Sequence, residues 1–256
     1  IRDLYSREID EVLVEGERGY RIAKDFMKMI MPSHAKNVKN YHDSLPLFAR
    51  YQVESYLSSM FNPVVQLKSG GYHFMSLGDA VETLKNSQPF PARTVILTVD
   101  DAYKSFVTDG WPKLKAANIP VTLFVSTDPV DDATSNYMTW DDVRRLKAEG
   151  VAIEHHTASH LHMVASGLDE ALKDVRRASA RFEAELGAVP EILAYPYGEY
   201  DKATAAAVEA EGFKAAFAQY SGPIAPWQNL FMLPRFPVNE RYGDEARFKL
   251  ISQTLA

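Results

Sequence analysis

The sequence contains no cysteine, and this absence removes three kinds of chemistry at once. Disulfide bonds, thiolate metal ligands and cysteine nucleophiles are all excluded. Long hydrophobic stretches are also missing, because no uninterrupted apolar run approaches the roughly 18 residues that a membrane-spanning helix needs. We therefore expect no membrane span, and any metal site must be built without thiolates.

The chain has fewer basic residues than acidic residues. The chain has 28 lysines and arginines against 34 aspartates and glutamates, which gives a formal net charge of -6 at pH 7. This balance argues against a nucleic-acid partner held by neutralised phosphates, whereas a neutral or cationic sugar polymer stays compatible with it. With 256 residues, 46% of them hydrophobic, the chain can bury one substantial core.

Strand-like and helix-like segments alternate from about residue 70 onward. Short apolar runs predict strands over 72–75, 94–99, 121–126, 151–154, 192–195, 215–218 and 233–238. Amphipathic spacing predicts helices over 77–84, 103–117, 140–149, 168–186, 202–211 and 244–255. This alternation is typical of the α/β class, with parallel βα units wound as an open sheet or as a barrel.

The N-terminal part of the chain follows a different pattern. Residues 4–14, 20–31 and 48–67 have helix-like apolar spacing, with a polar break between 32 and 40. We therefore divide the chain into an N-terminal helical extension, residues 1–35, and an α/β domain, residues 36–256. The chain begins with Ile1 rather than methionine, which suggests a trimmed or processed form.

Two adjacent carboxylates, Asp100 and Asp101, close the apolar strand predicted at 94–99. The carboxyl ends of parallel strands are where ligands of α/β folds collect. Two close carboxylates repel each other unless a cation or a base lies between them. One of them is therefore a candidate metal ligand and the other a candidate base; alternatively, one caps the next helix and the other is solvated.

Four of the seven histidines lie within residues 155–162, directly after another predicted strand. His156 and His160 are four residues apart, so one turn of helix would point both rings at the same place. Two imidazoles and one carboxylate leave a coordination position for water, which is the pattern of a catalytic metal site. The alternative is a surface or core histidine cluster, or a site for metal storage.

A third strand end is followed by Tyr195, Pro196, Tyr197 and Gly198. Proline and glycine fix a turn, and the two tyrosine rings offer flat faces and hydroxyl groups for contact with a sugar. The alternative is that this turn only connects two secondary-structure elements.

The three segments in this order resemble the polysaccharide deacetylases of carbohydrate esterase family 4. The resemblance covers roughly residues 72–238, in which 98–101 match the Thr-Phe-Asp-Asp motif, 156–160 match His-Ser/Thr-x-x-His, and 195–198 match a third motif. It implies a distorted (β/α)7 barrel. It also implies that Asp100 is the general base and that Asp101, His156 and His160 bind a divalent metal.

Residues 36–256 would then form the deacetylase domain. Its metal is expected to be zinc, although cobalt, nickel and iron suit the same ligands. The candidate substrate-binding residues are Tyr195, Pro196, Tyr197, Gly198 and Trp227. The expected partner is an N-acetylated polysaccharide, such as poly-N-acetylglucosamine, peptidoglycan or a chitin-like polymer, and the expected location is extracytoplasmic.

The chain departs from the family pattern at several positions. Ala102 stands where the family usually has glycine, and Ala194 stands where it usually has the arginine that orients the base. We predict that Arg235, in a Leu-Pro-Arg stretch, supplies this guanidinium. The usual C-terminal histidine acid is absent, because no histidine follows His162; the Tyr-His-Asp stretch of 41–43 makes His42 the candidate acid.

Three alternatives stay open at this point. His34 is a second candidate for the acid. The scaffold could also serve another amide or ester hydrolase, for example one that removes O-acetyl groups from xylan. Because the base-orienting arginine and the acid are not in their usual places, a sugar-binding module without catalysis is a further alternative.

Overall fold

A computed structural model of the chain describes residues 64, 67–68, 70–132 and 136–238. All of them belong to one compact unit, Leu57–Ala256. The boundary predicted at residues 35 and 36, and the helices predicted over 4–14, 20–31, 48–67 and 244–255, lie wholly or mainly outside the described residues. They remain predictions.

The described part of the chain alternates strands and helices. The strands are β1 His73–Phe74, β2 Thr94–Val95, β3 Thr98–Asp100, β4 Thr122–Val125, β5 Ala152–His155, β6 Ile192–Ala194 and β7 Ala215–Phe217. The α-helices are α1 Leu77–Lys85, α2 Trp111–Ala116, α3 Thr127–Asp131, α4 Trp140–Ala148, α5 Leu168–Leu186 and α6 Lys202–Ala210. Among these described residues, no helix combines the length and apolar character that crossing a bilayer requires.

Within the described residues, the strands β1 to β7 pair in parallel and lie side by side in the order of the chain. β1 pairs with β2, and β3 through β7 form one five-stranded sheet. Beyond β7, Leu233 makes a single parallel bridge with Phe217. Since β2 and β3 belong to one run, residues 94–100, seven strand positions follow each other around the sheet. This confirms the distorted (β/α)7 barrel.

Three predicted elements differ from the structure. The strand predicted over 94–99 is interrupted between β2 and β3, and the strand predicted over 233–238 consists of the Leu233 bridge alone. The helix predicted over 103–117 contains a π-helical turn, Phe106–Gly110, before α2. Pro112 explains this change, because it has no amide hydrogen to donate to the carbonyl four residues earlier.

The core lies between the sheet and its helices. Every residue of β4 is buried, as expected for a central parallel strand covered on both faces. Leu123 and Val125 pack in one apolar cluster with Val143 and Leu146 of α4 and with Phe182 of α5. The sheet is thereby held rigid next to the strand ends that carry the polar residues.

The ends of two helices follow directly from the sequence. Thr139 and Asp142 form a capping box at the start of α4, in which each side chain accepts the other residue's backbone N–H. Gly187 ends α5 in the left-handed conformation, with φ 73°. Each signal fixes one end of a helix that covers the sheet: the start of α4 and the end of α5.

We expect Thr139→Ala to lower the free energy of unfolding by about 1 kcal/mol, because the first turn of α4 loses its cap. Urea denaturation of the purified variants measures this loss. Thr139→Ser keeps the hydroxyl and should retain most of the wild-type stability. Equal stability of the alanine variant and the wild type would contradict the assigned cap.

Candidate metal and hydrolytic site

Three potential metal ligands converge at the carboxyl edge of the sheet. Asp101 follows β3, whereas His156 and His160 lie in the loop after β5. Oδ1 of Asp101 lies 3.2 Å from Nε2 of His156 and 3.2 Å from Nε2 of His160. The three donor atoms all lie within 4.8 Å of one another. The structure thus brings together the three side chains for which the sequence predicts a shared metal.

The loop that carries the two histidines is not a helical turn, so that part of the prediction is wrong. Thr157 and His160 both have positive φ, 65° and 55°, which no right-handed helix contains. The loop instead hydrogen-bonds to the end of β4: His156 N–H donates to the Val125 carbonyl, and the Ser126 hydroxyl donates to the His156 carbonyl. Neighbouring strands, rather than helical periodicity, bring the two rings together.

The orientation of His156 is fixed by a backbone carbonyl. Its Nδ1 lies 2.7 Å from the carbonyl oxygen of Ala194, which can only accept a hydrogen bond. The proton of the neutral ring is therefore on Nδ1, and the Nε2 lone pair is directed toward Asp101. Ala194 stands where the resemblance leads one to expect arginine, and its main chain orients a candidate ligand.

The residues present fit a divalent cation. Oδ1 of Asp101 is buried and accepts no hydrogen bond from any residue that the structure describes. Burial raises the pKa of Asp101, but hydrogen bonds and positive charge from His156 and His160 in their protonated forms lower it by a larger amount, so that the net pKa lies below its usual range. A bare, ionised oxygen facing two imidazole nitrogens is the donor set of zinc and related metals.

Asp100 is held by Arg235 in a bidentate ion pair. Nη1 of Arg235 lies 2.6 Å from Oδ1 of Asp100, and Nη2 lies 2.8 Å from Oδ2. The guanidinium is held in turn by the Ala218 carbonyl, 2.9 Å from Nε, and by the Thr98 hydroxyl, 3.2 Å from Nη1. Such paired, charge-assisted hydrogen bonds are among the strongest in proteins. The structure therefore places Arg235 where the sequence predicts a base-orienting guanidinium.

The charge of Asp100 depends on this partner. Burial raises the pKa of Asp100, whereas Arg235 and, to a smaller extent, His156 lower it, with a net value below the usual range. The carboxylate is thus available as a proton acceptor at neutral pH. Gln219, which no sequence motif singles out, also donates from its Nε2 to Asp100 Oδ2 over 3.4 Å.

The four residues of the Tyr-Pro-Tyr-Gly turn differ in how far they are exposed. Tyr195 has no exposed surface and donates its hydroxyl to the Phe231 carbonyl, and Pro196 is also buried. Neither side chain offers an exposed face to a sugar in this structure, and their assignment as substrate contacts stays a prediction. Tyr197 is half exposed. Its ring makes an edge-type contact with the ring of His160 and stacks on the ring of His162, with 3.9 Å between the two ring centroids.

The other predicted residues have different positions. Trp227 is exposed over 86% of its surface, and its assignment as a substrate contact stays a prediction. His155 is fully buried and packs in the core, where burial lowers its pKa to about 3 and Nε2 lies 3.2 Å from the Val175 carbonyl. His34 and His42 lie outside the described residues, so the candidate acid stays a prediction.

Non-glycine residues with left-handed backbone are concentrated at this site. Five of the eight in the described residues are Asp101, Ala102, Thr157, His160 and Tyr197. Each such residue costs on the order of 1 kcal/mol or more and persists only where its surroundings hold it. Ala102 adopts φ 60° at the position where the family usually has glycine, which gives a physical reason for that preference.

The model of one family, described as polysaccharide deacetylase, matches residues 87–216, slightly more than half of the chain. The chain belongs to the polysaccharide deacetylase family. Among solved structures, the deacetylase PplD of Streptococcus pyogenes, in complex with acetate, aligns over 78% of this chain and 87% of its own, with a TM-score of 0.69 and 21% identity. At this identity the likeness supports the fold alone.

Two curated relatives of this chain are named as deacetylases. YxkH of Bacillus subtilis is 22% identical over 173 residues, which cover 68% of this chain but only 61% of YxkH. The poly-β-1,6-N-acetyl-D-glucosamine N-deacetylase of Staphylococcus epidermidis is 24% identical over 229 residues, or 84% of this chain and 73% of that protein. The chain therefore spans about three fifths to three quarters of these relatives.

The first third of the chain matches the model of a different family. Residues 1–84, which include His34 and His42, match the model of the Ribonuclease E/G family. The deacetylase match begins at residue 87, so it does not extend to either candidate acid. The expectation that no nucleic acid binds this protein rests on net charge and stays a prediction.

We expect Gly198→Ala to disturb the site far more than an ordinary glycine replacement. A Cβ at Gly198 would lie 2.5 Å from the backbone nitrogen and Cβ of Gln219, whereas a Cβ at Gly212 would meet nothing within 4 Å. Both glycines have positive φ, so Gly212→Ala is the matched control and should cost about 1 kcal/mol. The clash should add about 1–3 kcal/mol in Gly198→Ala.

Thermal and urea unfolding of the two variants measure the difference. Equal destabilisation would show that Gln219 moves aside without cost, and would contradict the close contact.

Proposed function

We propose that this protein is a metal-dependent hydrolase that removes N-acetyl groups from an N-acetylated polysaccharide. The observation that carries the proposal is the placement of Asp100, ionised and oriented by Arg235, next to the candidate ligand Asp101. Membership of the polysaccharide deacetylase family supports it. A site that only bound sugar would have no use for a buried carboxylate held ready to accept a proton.

Asp101, His156 and His160 are the residues that would hold the divalent cation, with zinc as the first expectation. Such a cation supplies Lewis acidity, which makes an acetamide carbonyl more electrophilic and a water molecule more acidic. The chain's own contribution is geometric: the Ala194 carbonyl fixes the His156 ring, and Oδ1 of Asp101 accepts no hydrogen bond from the described residues.

The proton transfers fall to the protein. Asp100 would accept the proton of the attacking water, since its carboxylate is kept ionised and fixed by Arg235. The N–H of Tyr197 would donate to the oxygen that becomes negative as the carbonyl is attacked. His42 remains the predicted donor of the proton that the departing amine needs.

The substrate we propose is poly-N-acetylglucosamine or a related N-acetylated polymer, acted on outside the cytoplasm. The Staphylococcus epidermidis relative, named for this polymer, supports the choice. Exposed aromatic rings support a sugar ligand: Tyr197 is 49% exposed, and Tyr103, two residues after Asp101, is 43% exposed and stacks on Tyr137 at 4.7 Å. Flat, amphipathic rings of this kind suit the faces of pyranose sugars.

We expect the zinc-loaded wild-type protein to release acetate from poly-N-acetylglucosamine, and a panel of chitin oligomers, peptidoglycan and acetylated xylan tests the alternatives. Asp100→Asn should bind metal like the wild type but lose activity by a factor of about 100 or more, because the base is absent. His156→Ala should lose both. Acetate assays and metal analysis of the same samples separate the two effects.

Release from xylan alone would assign an O-acetyl esterase. No release from any polymer by a metal-loaded wild type would contradict hydrolysis, and full metal occupancy in His156→Ala would contradict the assigned ligand.

We expect Arg235→Lys to lower kcat about 10-fold to 100-fold with little change in metal affinity. An ammonium group cannot make both hydrogen bonds to Asp100, so the base loses its fixed orientation. Arg176→Lys is the matched control, because Arg176 forms a bidentate pair with Glu211 on the exposed surface. Steady-state kinetics on the polymer measure both; an equal effect of the two substitutions would contradict a specific role for Arg235.

A further inference from the structure

The loop between the two candidate histidine ligands is held from outside the site. On its carbonyl side, Thr127 N–H donates to the Thr157 carbonyl and Asp128 N–H donates to the Ala158 carbonyl. These two donors belong to α3, a helix that follows β4 directly. The loop has its own amide hydrogens as well, and their acceptor lies on a different element.

That acceptor is Asp174, in the second turn of α5. Its Oδ2 lies 2.8 Å from the amide nitrogen of Ala158 and 3.0 Å from that of Ser159. Asp174 is 93% buried, and Arg177 donates to its Oδ1 from 2.6 Å. Arg177 also pairs with Asp128 of α3, so one guanidinium joins both supports of the loop.

We propose that Asp174 is a positioning residue that holds His156 and His160 in metal-binding geometry. Thr157 and His160 adopt the left-handed conformation, which non-glycine residues leave unless other contacts hold them there. Asp174 supplies these contacts by binding two successive amides between the ligands. This inference rests on the proposed function, because it concerns the same metal site.

The energetic reason is the cost of a buried amide without an acceptor. Ala158 is fully buried, so its N–H has no access to water if the carboxylate is removed. The loop then gains by turning this amide toward another acceptor, and such a turn changes the separation of the two imidazoles. Residues that orient metal ligands typically alter metal affinity 10-fold to 100-fold when they are replaced.

The test is the metal affinity of Asp174→Asn, compared with Asp169→Asn as a matched control. Asp169 lies in the first turn of the same helix and is exposed. Zinc affinity is measured by competition with a chromophoric chelator, the geometry by the visible spectrum of the cobalt-loaded protein, and the fold by circular dichroism of metal-free samples. Acetate release is not needed for any of these readouts.

We expect Asp174→Asn to remain folded without metal, to bind zinc about 10-fold to 100-fold more weakly and to show an altered cobalt spectrum. Asp174→Ala, which has no acceptor at all, should bind more weakly still, and Asp169→Asn should match the wild type. Wild-type affinity and spectrum in a folded Asp174→Asn would overturn the proposal and leave Asp174 a purely structural residue.

If Asp174→Asn does not fold, the zinc affinity of Arg177→Gln tests the proposal instead. Its side chain is half exposed, so the fold should survive, and the loss of the pairing with Asp174 and Asp128 should weaken zinc binding several-fold. Unchanged affinity there overturns the proposal. A wild type that binds zinc but releases no acetate contradicts the proposed function alone, so the two failures are distinguishable.

Discussion

Parallel strands that follow one another around a sheet all end at the same edge, and the rest of this structure depends on that constraint. Asp100 and Asp101 come from the end of β3, the histidine loop from the end of β5, and the Ala194 carbonyl from the end of β6. Residues nearly 100 positions apart in the chain thus meet without a long loop. Hydrogen bonds from the end of β4 then shape the histidine loop.

The second constraint is electrostatic. Two neighbouring carboxylates cannot both stay ionised in a buried site unless each has its own counter-charge. Here, Asp100 is neutralised by Arg235, whereas Asp101 faces two imidazoles, and its Oδ1 has no hydrogen-bond donor in the part of the chain that the structure describes. The difference in partners separates a base from a ligand, although the two residues are adjacent and chemically identical.

The sequence predicts those parts of the fold and the site that depend on local patterns. The helix α5 and its stop at Gly187 follow from periodicity and a terminal glycine, and the three ligands follow from their strand ends. The shape of the histidine loop does not, because four-residue spacing also fits a helical turn and the loop is formed by contacts from β4, α3 and α5. Gln219 and Asp174 likewise gave no local signal, since each acts through partners distant in the chain.

The position of α1 has a consequence for how such a barrel is put together. The ribonuclease-type match ends at residue 84, inside α1, yet Leu77, Val81 and Leu84 of this helix pack in one apolar cluster with Phe124 and Phe217 of the sheet. β1, which lies in the same matched segment, pairs with β2. This first βα unit thus joins the barrel through one parallel strand pairing and three apolar side chains.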